Sequence, residues 1–171
     1  MLMMDPPLLL LNEMRPLLAK KAVENIFFKK HLRQYSSTVV DELIHELNAE
    51  IAPKIDCLAC ANCCRNLEPG IEDNELEKLA ELTGTTTELF KQLFVGFDGE
   101  TLFLKTKPCA FLKEFACEIY TNRPGACKGF PHLDGKDMKY KRSLWTNYTI
   151  CPIVFNVIEH LKMRLNFNHA A

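Results

Sequence analysis

Apolar residues recur at spacings of three and four over residues 7–50: Leu10, Met14, Leu17, Leu18, the pair Ala22 and Val23, then Ile26 and Phe27, with Lys20, Lys21, Glu24, Lys29 and Lys30 between them. That period predicts an amphipathic helix, with a break or a new first turn at Pro16. Ser36 or Ser37 is placed to cap a second helix carrying Val39, Val40, Leu43, Ile44 and Leu47. Stripes of this kind most often cover the core of their own domain, so the region is read as packing, with His31 and His45 as ordinary helix residues. Further on, Asp73 or Asn74 opens a helix over 75–83 whose apolar face is Leu76, Leu79, Ala80 and Leu82, and Gly84 stops it. Thr85 with Glu88 reads as the capping box of a helix bearing Leu89, Phe90, Leu93 and Phe94. After Gly96 and Gly99 the segments 101–105, 109–112 and 116–120 are short and aromatic-rich, which predicts strands of a small sheet or hairpin. Pro152 then starts a helix over 153–165 with Val154, Ile158, Leu161 and Leu165 on one face.

The elements amount to an α+β fold, mostly helical, with helices around a small β-hairpin or sheet. Residues 1–50 form a helical N-terminal extension, 51–165 a cysteine-cluster domain and 166–171 a tail. The chain's 171 residues, 47% apolar and 25% charged, suit an ordinary globular domain and exclude disorder and collagen. With 21 basic and 22 acidic side chains the formal charge is −1, which argues against a broad nucleic-acid or anionic-membrane surface but leaves room for a local patch. Lys136, Lys139, Lys141 and Arg142, with Tyr140 and Trp145, make the one basic-aromatic stretch; Asp134 and Asp137 interrupt it, and it is read as a solvated loop.

All eight cysteines lie between Cys57 and Cys151. Four disulfides would require export. Asp5, Pro6 and Pro7 precede the short apolar run Leu8 to Leu11, and Asn12, Glu13 and Arg15 interrupt it, so no secretory signal is expected. Nor does any stretch reach the ~20 apolar residues of a membrane span. The expectation is a cytoplasmic protein whose thiols stay reduced and bind metal or do redox work; the sequon Asn147-Tyr148-Thr149 is then an accident of composition.

Cys57, Cys60, Cys63 and Cys64 stand within eight residues, with two-residue gaps that let successive sulfurs turn toward one centre, as in zinc knuckles and iron–sulfur ligand runs. If the run is helical, Cys57, Cys60 and Cys64 share a face; if it is a loop, Cys57, Cys60 and Cys63 are the natural trio. In either case adjacent Cys63 and Cys64 are expected to point apart and not to serve one ion together. Cys109 follows Pro108, Cys127 follows Arg123-Pro124-Gly125, and Cys151 precedes Pro152, settings that suit ligand loops; Cys117 completes the eight. Each alone reads equally as a small buried hydrophobe. Arg65, Arg123 and Lys128 are candidates to favour thiolate charge. His132 is a further candidate ligand, although a lone loop histidine is more often solvent-facing.

The blocks Cys57-x2-Cys60-x2-Cys63-Cys64, Pro108-Cys109-Ala110-Phe111-Leu112, Cys117-Glu118-Ile119-Tyr120-x2-Arg123-Pro124-x2-Cys127-Lys128-Gly129-Phe130-Pro131 and Cys151-Pro152 resemble, in matching order, the YkgJ-type cysteine-cluster family, the CxxCxxCC proteins associated with zinc or iron chelation. The departures are small: Ala110 where a second proline is expected, and Lys128 where arginine is common. The resemblance implies metal binding with ligands drawn from Cys57, Cys60, Cys63, Cys64, Cys109, Cys117, Cys127 and Cys151. Relatives of that family include a flagellin lysine N-methylase, but this chain shows neither a Gly-rich nucleotide loop after a strand nor a CxxxCxxC run.

The reading is therefore a protein that holds an iron–sulfur cluster, zinc, or one of each. Eight thiolates suit two closed centres of four, in a structural or electron-transfer role, because Lewis-acid catalysis needs an open position. Two alternatives stay open. One is a cluster-dependent enzyme acting on a protein side chain, for which Asn62, Tyr120, Arg123 and His132 are the residues of interest. The other is a metal store or chaperone.

Overall fold

The computed structural model describes residues 8–114 and 116–168. The start of the expected N-terminal extension, including Asp5 to Pro7, and the last three residues of the expected tail lie outside them. In chain order the helices are α1 (Leu11–Met14), α2 (Leu18–His31), α3 (Ser37–Ile51), α4 (Cys57–Cys60), α5 (Asn62–Asn66), α6 (Leu76–Leu82), α7 (Thr87–Phe94), α8 (Gly125–Lys128), α9 (Arg142–Tyr148) and α10 (Pro152–Arg164). The strands are β1 (Gly70–Ile71), β2 (Val95–Phe97), β3 (Leu102–Leu104), β4 (Leu112–Lys113) and β5 (Ala116–Cys117). A mostly helical α+β chain with small antiparallel sheets is what the hydropathy pattern predicts. The chain divides into two units, one of Met1–Asp56 with Pro131–Ala171 and one of Cys57–Phe130.

The first unit is built on α10. Pro152 occupies its first turn, where a missing N–H costs nothing. The dense apolar run Ile153-Val154-Phe155 with Val157, Ile158 and Leu161 is buried on nearly every side, not on the single face expected, as a helix apolar all round must be. Against it lies α3, capped by Ser36, whose Oγ accepts the Val39 N–H at 3.3 Å. Val40, Ile44, Leu47 and Ile51 form the buried stripe of α3, while Val39 stays exposed. Asp41, also buried, accepts the N–H groups of Asp137 at 2.7 Å and Met138 at 2.8 Å, which pins the turn 138–140 to α3. His45 donates to the Gly135 carbonyl (3.0 Å), holding the same loop.

The predicted stripe on α2 is inverted. Met14 of α1 is buried as expected, but along α2 and the turn after it the buried residues are Asn25, Phe28 and Leu32, whereas Val23 (57% exposed), Ile26 (55%) and Phe27 (44%) face outward. The reason is an ion network that claims the inner face. Lys162 of α10, only 4% exposed, donates to Glu24 (2.8 Å) and Glu159 (2.6 Å). Lys21 pairs with Glu24 (2.9 Å) and Glu159 (2.8 Å), and the Tyr148 hydroxyl donates to Glu159 (2.8 Å). Burial is the largest single influence on Glu24 and pushes its carboxyl up, but the hydrogen bonds from Lys162 and Lys21 together outweigh it and hold it below the usual range. In the same way burial lowers Lys21, and its bonds to Glu159 and Glu24 reverse the sign and leave it raised.

In the second unit, β1, β3 and β2 form an antiparallel sheet in that order, with Val95 opposite Leu104 and Gly96 opposite Phe103. A Cβ at Gly96 would meet the Phe103 ring at 2.5 Å, so only glycine lets that ring lie across the strand. Thr86, not Thr85, caps α7, its Oγ1 accepting from Leu89 N–H at 3.3 Å. Thr85 is drawn into the end of α6, where Gly84 turns at φ 66° and the Thr85 N–H reaches the Ala80 carbonyl (3.0 Å). Ile71, Leu76, Leu79, Phe90, Leu104 and Phe111 are the heart of a small core, and Cys109 and Cys117 pack against it.

Lys162→Met removes the buried cation between Glu24 and Glu159 and leaves both carboxylates to Lys21, and it is expected to destabilise the protein by about 1.5–3 kcal/mol in urea denaturation. Because Glu24 is lowered, its contribution is full above an unfolded-state pKa of about 4.3 and is lost as the pH falls below it. Lys21 is raised, so its contribution is full below about 10.4 and is lost as the pH rises above it. Wild-type stability measured against pH should decline at both ends, and Lys162→Met should flatten the acid limb.

Candidate metal centre

The cysteine run is neither one helix nor a loop. Ala61 adopts a left-handed conformation (φ 44°, ψ 19°), which costs a non-glycine residue roughly 1–2 kcal/mol and splits the run into the two turns α4 and α5. Cys57 is exposed, and Cys60, Cys63 and Cys64 are half-buried. Within α5 the expectation that Cys63 and Cys64 diverge also fails, because their Sγ atoms approach to 3.9 Å. That is close to the roughly 3.8 Å edge of a tetrahedron of thiolates at about 2.3 Å from an ion.

The later thiols are brought to Cys64 by main-chain bonds. The Cys109 N–H donates to the Cys64 carbonyl at 2.8 Å, and Thr106 Oγ1 accepts the Ala110 N–H at 3.0 Å, shaping the Cys109 turn. This turn was expected to be a strand; only Leu112–Lys113 is one, with Leu112 opposite Cys117. Cys127 sits in α8, whose start is tied down by Gly125 N–H donating to Glu75 Oε1 at 2.7 Å. Glu75 and Thr106 carry no motif and were not singled out from sequence; an anchoring carboxylate fifty residues from its partner leaves no local pattern. Cys151 belongs to the other unit, where it is buried at the N-cap of α10. None of the eight forms a disulfide, and among the described residues no three His, Cys, Asp or Glu side chains are already closed into metal-ligating geometry.

Four of the thiols feel one another. Burial pushes Cys109 up, opposed by the Phe111 N–H and reinforced by Cys64 and Cys117. Burial also raises Cys117, with Cys64 adding to it and Arg123 opposing. Cys127 is pushed up to about 12 by burial and then by Cys109, Cys64 and Cys117. Cys64 is raised by its hydrogen bond with Cys63, by burial and by the Cys63 charge, against the pull of Arg65. Every pairing among Cys64, Cys109, Cys117 and Cys127 is therefore repulsive once ionised.

The three expected cations have different positions. Arg65 donates to the carbonyls of Cys60 (3.0 Å) and Glu114 (3.4 Å), so it clips the cysteine run to the β4–β5 turn while favouring the Cys64 thiolate. Arg123 lies 3.8 Å over the Tyr120 ring, with its Nε buried, and its charge favours thiolates at both Cys117 and Cys127. Lys128 is exposed. Asn62 is buried and holds Asn66, which donates to its carbonyl at 2.8 Å. His132 is exposed, at φ 58°, and belongs to the other unit.

Such a donor set fits a thiophilic ion or cluster: soft sulfur ligands, partly desolvated, with cations but no carboxylate opposing their charge except Glu118 beside Cys117. No curated protein and no solved structure matches the chain. A family model does, over residues 56–152, and its description is "Putative zinc- or iron-chelating domain". With more than half of its length matched, the chain belongs to the CxxCxxCC family of zinc- or iron-chelating domains.

Proposed function

We propose that this protein holds an iron–sulfur cluster, zinc, or one of each through cysteine thiolates, in a structural or electron-transfer role, and that Cys64, Cys109, Cys117 and Cys127 form one four-thiolate centre. The observation that carries the reading is the gathering of half-buried free thiols from separate parts of the sequence into one small unit, with the Cys109 N–H bonded to the Cys64 carbonyl at 2.8 Å and Cys109 and Cys117 packed on the same core. Thiols so placed resist ionisation until a cation or cluster supplies the compensating charge, and its binding then releases their protons. Four thiolates fill a tetrahedral ion or a cluster completely. A closed shell of that kind braces the fold or passes electrons and leaves no position for a substrate.

Cys57 and Cys60, both on α4, supply thiolates for a second centre, while Cys63, its Sγ 3.9 Å from that of Cys64, stands beside the first. Cys151 keeps its place in the ligand set by family resemblance alone.

Protein purified without oxygen is expected to contain iron with sulfide, and to absorb broadly in the visible, or else to contain zinc; a metal-free preparation that stays folded would overturn the reading. Cys64→Ser or Cys127→Ser should remove one centre's metal, and Cys57→Ser the other's. Full occupancy in Cys151→Ser would remove that residue from the set.

A second outcome concerns the metal-free protein. At pKa about 12, against an ordinary 9.0, Cys127 carries about a thousandfold less thiolate than an unperturbed cysteine. Its alkylation by iodoacetamide near neutral pH, followed by mass spectrometry, should be correspondingly slow. Since the shift is upward, its contribution to stability is full below about pH 8.5 and is lost as the pH rises toward 12. The metal-free protein should therefore weaken in mild alkali.

A further inference from the structure

The basic-aromatic stretch that reads as a solvated loop in sequence does not stand alone in the structure. Lys139, Tyr140 and Trp145 meet Lys29, Leu32 and Arg33, from the end of α2 and the turn after it, to line a cleft of about 250 Å³. The two sets are about a hundred residues apart in the chain and belong to the same unit. Leu32, 1% exposed, is its apolar floor. Lys29 Nζ lies 4.4 Å from the centroid of the Trp145 ring, and Lys139 Nζ lies 4.9 Å from that of Tyr140 while donating to the Tyr35 carbonyl.

Three cations converge on this cleft, and among the described residues no carboxylate lines it. The one acid of α2, Glu24, is turned inward to Lys21 and Lys162. Nor do Asp134 and Asp137, which dilute the charge in sequence, line the cleft. Formal charge near zero over the whole chain thus hides a local excess of positive charge, and only an anion relieves it. The aromatic walls narrow the class of anion. Each ring carries a lysine over it, Lys29 on Trp145 and Lys139 on Tyr140, but the Tyr140 residue is 68% exposed, far more than a ring that served packing would be. Lys139 and Tyr140 are also held in place, since the turn carrying them is pinned by Asp41. An open aromatic ring beside fixed cations presents a stacking surface next to phosphate ligands, the pairing that recognises a nucleotide unit. Exposed Lys30, Lys141 and Arg142 extend the positive charge in sequence beyond the cleft, which suits a chain of phosphates over a single one.

We propose that this cleft binds single-stranded nucleic acid, with a base stacked on Tyr140 and phosphate held by Lys29, Arg33 and Lys139. The proposal is independent of the metal reading. Trp145 is the only tryptophan of the chain, so its emission reports on this site directly. Titrating the protein as purified with an oligo(dT) of about twelve nucleotides should change that emission. Affinity should fall with salt at a log–log slope of about −2 for three phosphate contacts. Tyr140→Ala should weaken binding about 5- to 150-fold, and Arg33→Glu should also weaken it. Lys91→Glu, an exposed cation on α7, should leave it unchanged. Absence of binding at millimolar oligonucleotide would overturn the proposal, as would full affinity in both Tyr140→Ala and Arg33→Glu. So would thymidine monophosphate binding as tightly as the oligonucleotide, or anionic phospholipid vesicles binding where the oligonucleotide does not.

Discussion

Sulfur ligands must lose protons to bind metal, and burial makes that loss expensive. This opposition organises the second unit. Cys109 and Cys117 sit against the Phe90 and Phe111 core, so the same apolar contacts that fix their positions also hold their protons on. The main chain partly offsets the cost, with the Phe111 and Ile119 N–H groups favouring thiolate at these two residues. Arg65 and Arg123 add two cations from opposite ends of the motif. What remains unbalanced is the repulsion among the four thiols, which the proposed metal centre would remove by supplying the compensating charge.

The first unit handles buried charge differently. Lys162 reaches the middle of a helical core, and Glu24 and Glu159 satisfy it from two helices, with Lys21 and Tyr148 completing the set. Buried pairs of this kind add little net stability over an apolar core, but breaking one leaves an uncompensated charge, so they fix which faces meet. Here the network dictates the rotation of α2 and sends Val23, Ile26 and Phe27 outward. It also turns the only acid of α2 away from Lys29 and Arg33, which is what leaves the cleft beside Trp145 without a carboxylate.

Local signals read correctly where the cause is local. Ser36 caps α3, Gly84 ends α6 in the left-handed region and Pro152 starts α10, because each acts within one turn of chain. The cysteine blocks were legible for the same reason, and they identified the family. The face of α2 was not legible, since hydrophobicity alone ranks Val23 above Asn25 and says nothing of Lys162, some 140 residues away. Thr85 reads as the cap of α7 from its spacing to Glu88; the bond from the Thr85 N–H to the Ala80 carbonyl takes it into the end of α6 and leaves the cap to Thr86. Strands of two and three residues such as β1 and β2 are too short to show a period and exist only through pairing with β3.

Ala61 shows why spacing could not settle the cysteine geometry. Helix and loop were the two regular options, and each gave a trio with Cys63 and Cys64 divergent. A single left-handed residue between two short turns provides a third arrangement, which separates Cys57 and Cys60 from Cys63 and Cys64; within the second turn those last two sulfurs approach to 3.9 Å. The cost of that conformation is about that of one weak hydrogen bond. Strain of this size persists where surrounding structure imposes it, and here Ala61 is buried while Arg65, four residues on, ties Cys60 to the β4–β5 turn. The turn is thus held from outside the motif, which makes Arg65 as much a part of the thiol geometry as the cysteines it orients.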